Sequence, residues 1–134
     1  MSDKELLELA ARAREASYCP YSSISVGAAL LCRDGRIFTG ANIENASFSP
    51  TVCAERVALF SAVHEGEREF EAIAIVGGRV GNPPTKPFAP CGVCRQALSE
   101  FAGGDLRVIT TDGESMRVMT LDELFPFGFG SDSF

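Results

Sequence analysis

Two short elements of this chain could do chemistry together: Cys53-Ala54-Glu55 and, further along, Pro90-Cys91-Gly92-Val93-Cys94. The C-x-x-C spacing of Cys91 and Cys94 lets two thiolates reach one ion. Both elements stand where a helix is expected to begin. Helix N-termini carry free N–H groups and a partial positive charge. They lower thiol pKa values and favour the ligating thiolate. Three protein ligands, Cys53, Cys91 and Cys94, leave the fourth tetrahedral position open, as in a catalytic rather than a structural zinc site. Glu55 follows Cys53 closely enough to lie beside a Zn²⁺ ion without binding it. A carboxylate there takes a proton from an activated water and delivers it elsewhere. Arg56 could offset the negative charge of three thiolates by donating hydrogen bonds to the sulfurs.

Other readings of the same residues weigh less. A lone C-x-x-C serves equally as a redox pair or half a zinc ribbon. A ribbon needs a fourth ligand. The only histidine, His64, is expected about three helical turns from Cys53, too far to join the same ion. Cys19 and Cys32 read as small buried residues. The C-x-E element is weak alone. Together with P-C-x-x-C downstream it resembles the zinc base deaminases, with cysteine in place of their histidine.

The elements that must position these groups follow from caps and periodicity. Ser2 and Glu5 form a capping box, and Leu6, Leu9, Ala13 and Ala16 continue a first helix that Pro20 stops. Ile24 to Cys32 and Ile37 to Glu44 flank Asp34-Gly35 and read as a β-hairpin. Cys53 to Glu65 is helical, with Leu59, Ala62 and Val63 on one face. Ala72 to Val76 reads as a strand covered on both faces, and Gly77 to Pro90 as a loop. Val93, Ala97, Leu98 and Phe101 mark a helix closed at Gly103-Gly104. Leu106 to Thr111 and Ser115 to Met119 are strands around Asp112-Gly113, and Thr120 with Glu123 opens a last helical turn. The order α-β-β-α-β-α-β-β-α predicts an α/β fold, three layers α/β/α around a mixed sheet of about five strands.

The 134 residues suit one domain over residues 1–134. Lys and Arg number 12 against 18 Asp and Glu, a net charge of −6. They are scattered, so no polynucleotide partner is expected. The charged N-terminal stretch argues against a signal peptide, and no apolar run reaches the length of a membrane span. A cytoplasmic location is expected by default. There the odd number of cysteines reads as ligands, reactive thiols or buried residues rather than disulfides.

Across nearly its whole length the chain resembles the small, homotetrameric cytidine deaminases. The matching stretches are Tyr18 to Leu30 (YCPYSSISVGAAL), Thr39 to Asn45 (TGANIEN), Cys53 to Arg56 (CAER), Pro90 to Gln96 (PCGVCRQ) and Leu121 to Pro126 (LDELFP). The resemblance implies Cys53, Cys91 and Cys94 as zinc ligands, Glu55 as proton shuttle, and Asn42 and Glu44 as partners of the ribose hydroxyls. It implies hydrolytic deamination of free cytidine and 2'-deoxycytidine to the uridines, with release of ammonia, in pyrimidine salvage. Ile24 stands where the family usually has phenylalanine, and Phe48 where it has tyrosine. Both are expected to border the nucleoside. The tail Phe125-Pro126-Phe127-Gly128-Phe129 is richer in aromatics than usual. Phe129 is expected to reach a neighbour's active site in a homotetramer. Three rival readings are a deaminase of a nucleoside antibiotic, a deaminase of polynucleotides, and a non-catalytic zinc module. The Asn42 to Asn45 segment, the acidic balance and Glu55 respectively oppose them.

Overall fold

Asp3–Ala13 forms α1 because Ser2 and Glu5 cap it reciprocally, each side chain bonding the other's backbone N–H at 3.1 Å. The other helices are α2 (Ala54–His64), α3 (Gly92–Phe101) and α4 (Leu121–Leu124). Thr120 and Glu123 cap α4 in the same reciprocal way. The strands are β1 (Ile24–Cys32), β2 (Ile37–Ala41), β3 (Phe70–Arg79), β4 (Arg107–Thr111) and β5 (Met116–Thr120). They form one five-stranded sheet in the order β2-β1-β3-β4-β5. β3 and β4 run parallel and every other pair is antiparallel, so the sheet is mixed. This computed structural model describes all 134 residues.

The continuous apolar runs of β1 and β3 arise because both faces of the sheet are covered. Alternate residues go to opposite sides. Ala28, Leu30, Cys32, Ile73 and Ile75 pack with Ala58, Leu59 and Leu98 of α2 and α3. Ala29, Leu31, Ala72, Ala74 and Val76 pack with Leu6 and Ala10 of α1. The result is the expected three-layer α/β/α arrangement. α3 is the crossover that makes β3 and β4 parallel.

Several boundaries differ from expectation. β3 continues to Arg79, so Gly77 and Gly78 are strand residues and not loop; β1 pairs with them at Val26 and Ser25. Locally two glycines favour a loop, but a long neighbouring strand supplies the missing hydrogen-bond partners. β2 stops at Ala41 rather than Glu44. There the Asn42 side chain joins the ladder, donating to the Ile24 carbonyl and accepting from the Val26 N–H, while the Asn42 backbone N–H donates to the Val26 carbonyl. α1 tightens into a 3-10 turn at Arg14–Ala16, well before Pro20. The Arg14 guanidinium ties that turn to the carbonyls of Ser25, Arg79 and Asn82. α3 closes through an extended Ala102 rather than a left-handed glycine. His64 is the last residue of α2, about three turns from Cys53 as expected, and is exposed. Cys32 is buried as expected, whereas Cys19 is only partly so.

Candidate metal centre and cleft

Cys53 and Cys91 are the N-cap residues of α2 and α3, and neither sulfur caps its own helix. Both thiols are therefore free, at the positive ends of two helices that converge on one point. Cys94, in the first turn of α3, is fully buried beside them. The three sulfurs lie within 4.8 Å of one another, and those of Cys53 and Cys91 are 3.7 Å apart. A tetrahedral zinc with Zn–S near 2.3 Å spaces its sulfurs about 3.8 Å apart, so the donor set fits that ion. The surroundings agree. Arg56 donates from Nη2 to the Cys53 sulfur at 3.5 Å, although its Nε–H is buried without a partner. A cation so enclosed needs anionic neighbours, which ionised thiols supply.

Hydrogen bonds from the Cys94 thiol, and then from Arg56, lower the Cys53 pKa to about 5. Cys94, the donor to that thiolate, is pushed upward. Without an ion the cluster thus shares protons, and a divalent cation would displace them. Glu55, the second residue of α2, is 4% exposed. Burial raises its carboxyl to about 7, and the Cys53 charge adds to the shift. A cation among the thiols would act against it.

The cluster opens into a cleft of about 290 Å³ lined by Ile24, Asn42, Glu44, Glu55 and Phe88, among others. Larger hollows elsewhere lie away from every thiol of the cluster. The Asn42 amide is fixed by its neighbours. Oδ1 accepts from the Val26 N–H at 2.8 Å and the Ser17 hydroxyl at 2.6 Å, and Nδ2 donates to the Ile24 carbonyl at 2.8 Å. One Nδ2–H is left for a ligand. Glu44 accepts from the N–H groups of Tyr21 and Ser22, at 2.9 and 3.1 Å, and from the Ser22 hydroxyl. These bonds, the hydroxyl's first, hold its pKa below the ordinary carboxylate value. The charged oxygens keep lone pairs for a further donor.

Residues 1–110 match the sequence model of the cytidine and deoxycytidylate deaminase zinc-binding region. The chain belongs to the cytidine deaminase family. The cytidine deaminase of Halalkalibacterium halodurans is 43% identical over 98% of this chain and 97% of its own. That of Sporosarcina psychrophila is 42% identical over 98% and 94%. The crystal structure of cytidine deaminase from Burkholderia pseudomallei is 46% identical, covers 96% of this chain and 100% of its own, and superposes with a TM-score of 0.87. The enzyme class is thereby that of a cytidine deaminase.

Within this deaminase the tertiary structure brings Cys53, Cys91, Cys94, Glu55, Arg56, Asn42, Glu44 and Ile24 to one place. Phe48 and Phe129 do not line the cleft of their own chain. Phe48 is 75% exposed at a positive φ of 40°, its ring edge-on to Tyr21. Phe129 is 61% exposed and packs on Phe134. Ser17, Ser22 and Phe88 join the site without a sequence signal of their own. Ser22 lies inside a matching stretch; Ser17 precedes it, and Phe88 sits among prolines, where no periodicity marks it.

Proposed function

We propose that the chain hydrolyses cytidine and 2'-deoxycytidine to uridine and 2'-deoxyuridine, releasing ammonia, with one zinc held by Cys53, Cys91 and Cys94. The observation that carries this reading is the buried Glu55 beside three convergent thiols, at a cleft that also presents Asn42 and Glu44. When bound, the zinc supplies Lewis-acid activation of water at neutral pH. Glu55 takes a proton from the attacking water and gives it to ring N3. It then carries a proton to the departing amino group, so that cytidine and water become uridine and ammonia. Its buried place at the start of α2, beside the thiols and on the cleft, suits a group that both accepts and donates a proton there.

Asn42 and Glu44 hold the sugar. The remaining Asn42 N–H donates to one hydroxyl, and the Glu44 carboxylate accepts from another. Arg56 steadies the thiolate charge. Ile24 borders the base. The net charge of −6 suits a free nucleoside better than a polynucleotide. We place the enzyme in the cytoplasm, as one domain per chain assembled into a homotetramer, with pyrimidine salvage as its role. No helix is long and apolar enough to cross a membrane. The deciding experiment follows cytidine loss by absorbance, with zinc content measured on the same sample. Turnover with one zinc per chain is expected. Zinc-loaded protein that leaves both cytidine and deoxycytidine untouched would overturn the reading.

A further inference from the structure

Phe88 is the only aromatic side chain that this chain itself contributes to the cleft. It is half-buried, one side packed against the core of α2, α3 and the sheet. Its seat is unusual. A Cβ on Gly77 would lie 2.6, 2.7 and 3.0 Å from three atoms of the Phe88 ring. The ring therefore rests directly on the bare backbone of β3, a close approach that only glycine at 77 permits. Gly77 pairs with Val26, and Ile24 lies two residues along β1 on the same face. The ring thus sits over the same face of the sheet as Ile24, which also lines the cleft.

We propose that Phe88 is a substrate-binding residue of this chain, the aromatic wall against the pyrimidine that Ile24 does not provide. The inference rests on the cytidine reading above. Aromatic rings attract one another edge-to-face or offset-stacked. A six-membered base reaching toward Glu55 and the thiols must pass through a cleft whose only π surface contributed by its own chain is this ring. Isoleucine at 24 then leaves the space that an aromatic pair would overfill. The glycine seat fixes the ring without help from a hydrogen bond.

The test compares wild type, Phe88→Leu, Phe88→Tyr and the double variant Phe88→Leu with Ile24→Phe. Cytidine kinetics, zinc content and thermal midpoint are measured on each. Phe88→Leu is expected to raise KM about two- to twelve-fold, the range of one aromatic pair, with kcat nearly kept and zinc retained. Phe88→Tyr should stay near the wild-type KM. Adding Ile24→Phe should return KM of the Leu variant toward wild type, a rescue that packing alone does not predict. An unchanged KM in folded, zinc-loaded Phe88→Leu overturns the proposal, and so does failure of the rescue. Should Phe88→Leu not fold, Phe88→Met takes its place with the same outcomes. Wild type inactive on cytidine would instead overturn the earlier reading.

Discussion

At the scale of single residues, the carboxylate that the C-x-E spacing singles out is enclosed by the fold. Glu55 stands in the first turn of α2, 4% exposed, with a thiolate beside it. Glu55→Gln keeps the shape and every sulfur but removes the proposed proton carrier. Metal content should be unchanged and turnover should fall by about 10²–10⁴-fold or more, since loss of acid–base catalysis alone costs that much. Turnover within a few-fold of wild type would remove Glu55 from the mechanism. The five cysteines give a second check. Cys32 is buried, and burial pushes its thiol up to about 11, so it should resist alkylation in every state. In the metal-loaded protein Cys19 should be the accessible thiol. After chelation Cys91, which is exposed, and Cys53 should become reactive too. Mass spectrometry of modified peptides reads this directly. An alkylation pattern that chelation does not alter would mean that the three thiols hold no ion.

At the scale of elements, the centre exists because two helices start at the same place above one face of the sheet. Gly40 on β2 sets how close α2 comes. A Cβ there would lie 2.5 Å from the Ala54 carbonyl oxygen and 2.6 Å from the Ala58 nitrogen. Both are backbone atoms of α2 and cannot rotate away. Gly40→Ala should therefore lift the start of α2, carrying Cys53 and Glu55 with it. The expected loss is about 1–3 kcal/mol or more of stability, as for overpacking generally, together with metal and turnover. Leu6→Ala acts on the opposite face, where Leu6, on the inner side of α1, is 1% exposed. It should cost about 2–5 kcal/mol yet leave metal content and KM intact well below the melting temperature. Thermal melts paired with kinetics separate the two. Equal effects of both variants on KM would show that the faces are not independent.

At the scale of the whole molecule, the surface carries more aromatic area than a lone chain needs. Phe127 and Phe134 are almost fully exposed, and Phe48 and Phe129 largely so. Exposed apolar clusters of this kind mark interfaces. The tail is tethered rather than free: Gln96 donates to the Phe129 carbonyl at 2.9 Å, and Arg95 joins Pro90 to Leu124 through their carbonyls. Phe125 already packs on the core, so the informative truncation removes residues 127–134 and leaves it in place. Light scattering at micromolar concentration should give the mass of four full-length chains. The truncated protein should be smaller, and less active despite an intact thiol cluster. A full-length monomer, or a truncated form with undiminished turnover, would refute a shared site.

The sequence by itself determined the proposed chemistry and the order of elements. Ligand type, ligand spacing and a carboxylate two residues from a thiol are local patterns. So are the capping boxes at Ser2 and Thr120, and the turn glycines Gly35 and Gly113, both at positive φ. Each depends on neighbours along the chain, so each can be read along the chain. What depends on partners from elsewhere was decided only in three dimensions. β3 runs through two glycines because β1 lies alongside to pair with them. Past the end of β2 the Asn42 side-chain amide takes the Val26 N–H and the Ile24 carbonyl while the Asn42 backbone N–H still donates to the Val26 carbonyl, an arrangement that also fixes which side-chain N–H the site has left to give. Phe88 entered the cleft because Gly77, eleven positions before it in the chain, has no side chain to hold it off. Backbone pairing and close packing join residues far apart in sequence, and no local pattern of residue types encodes that distance.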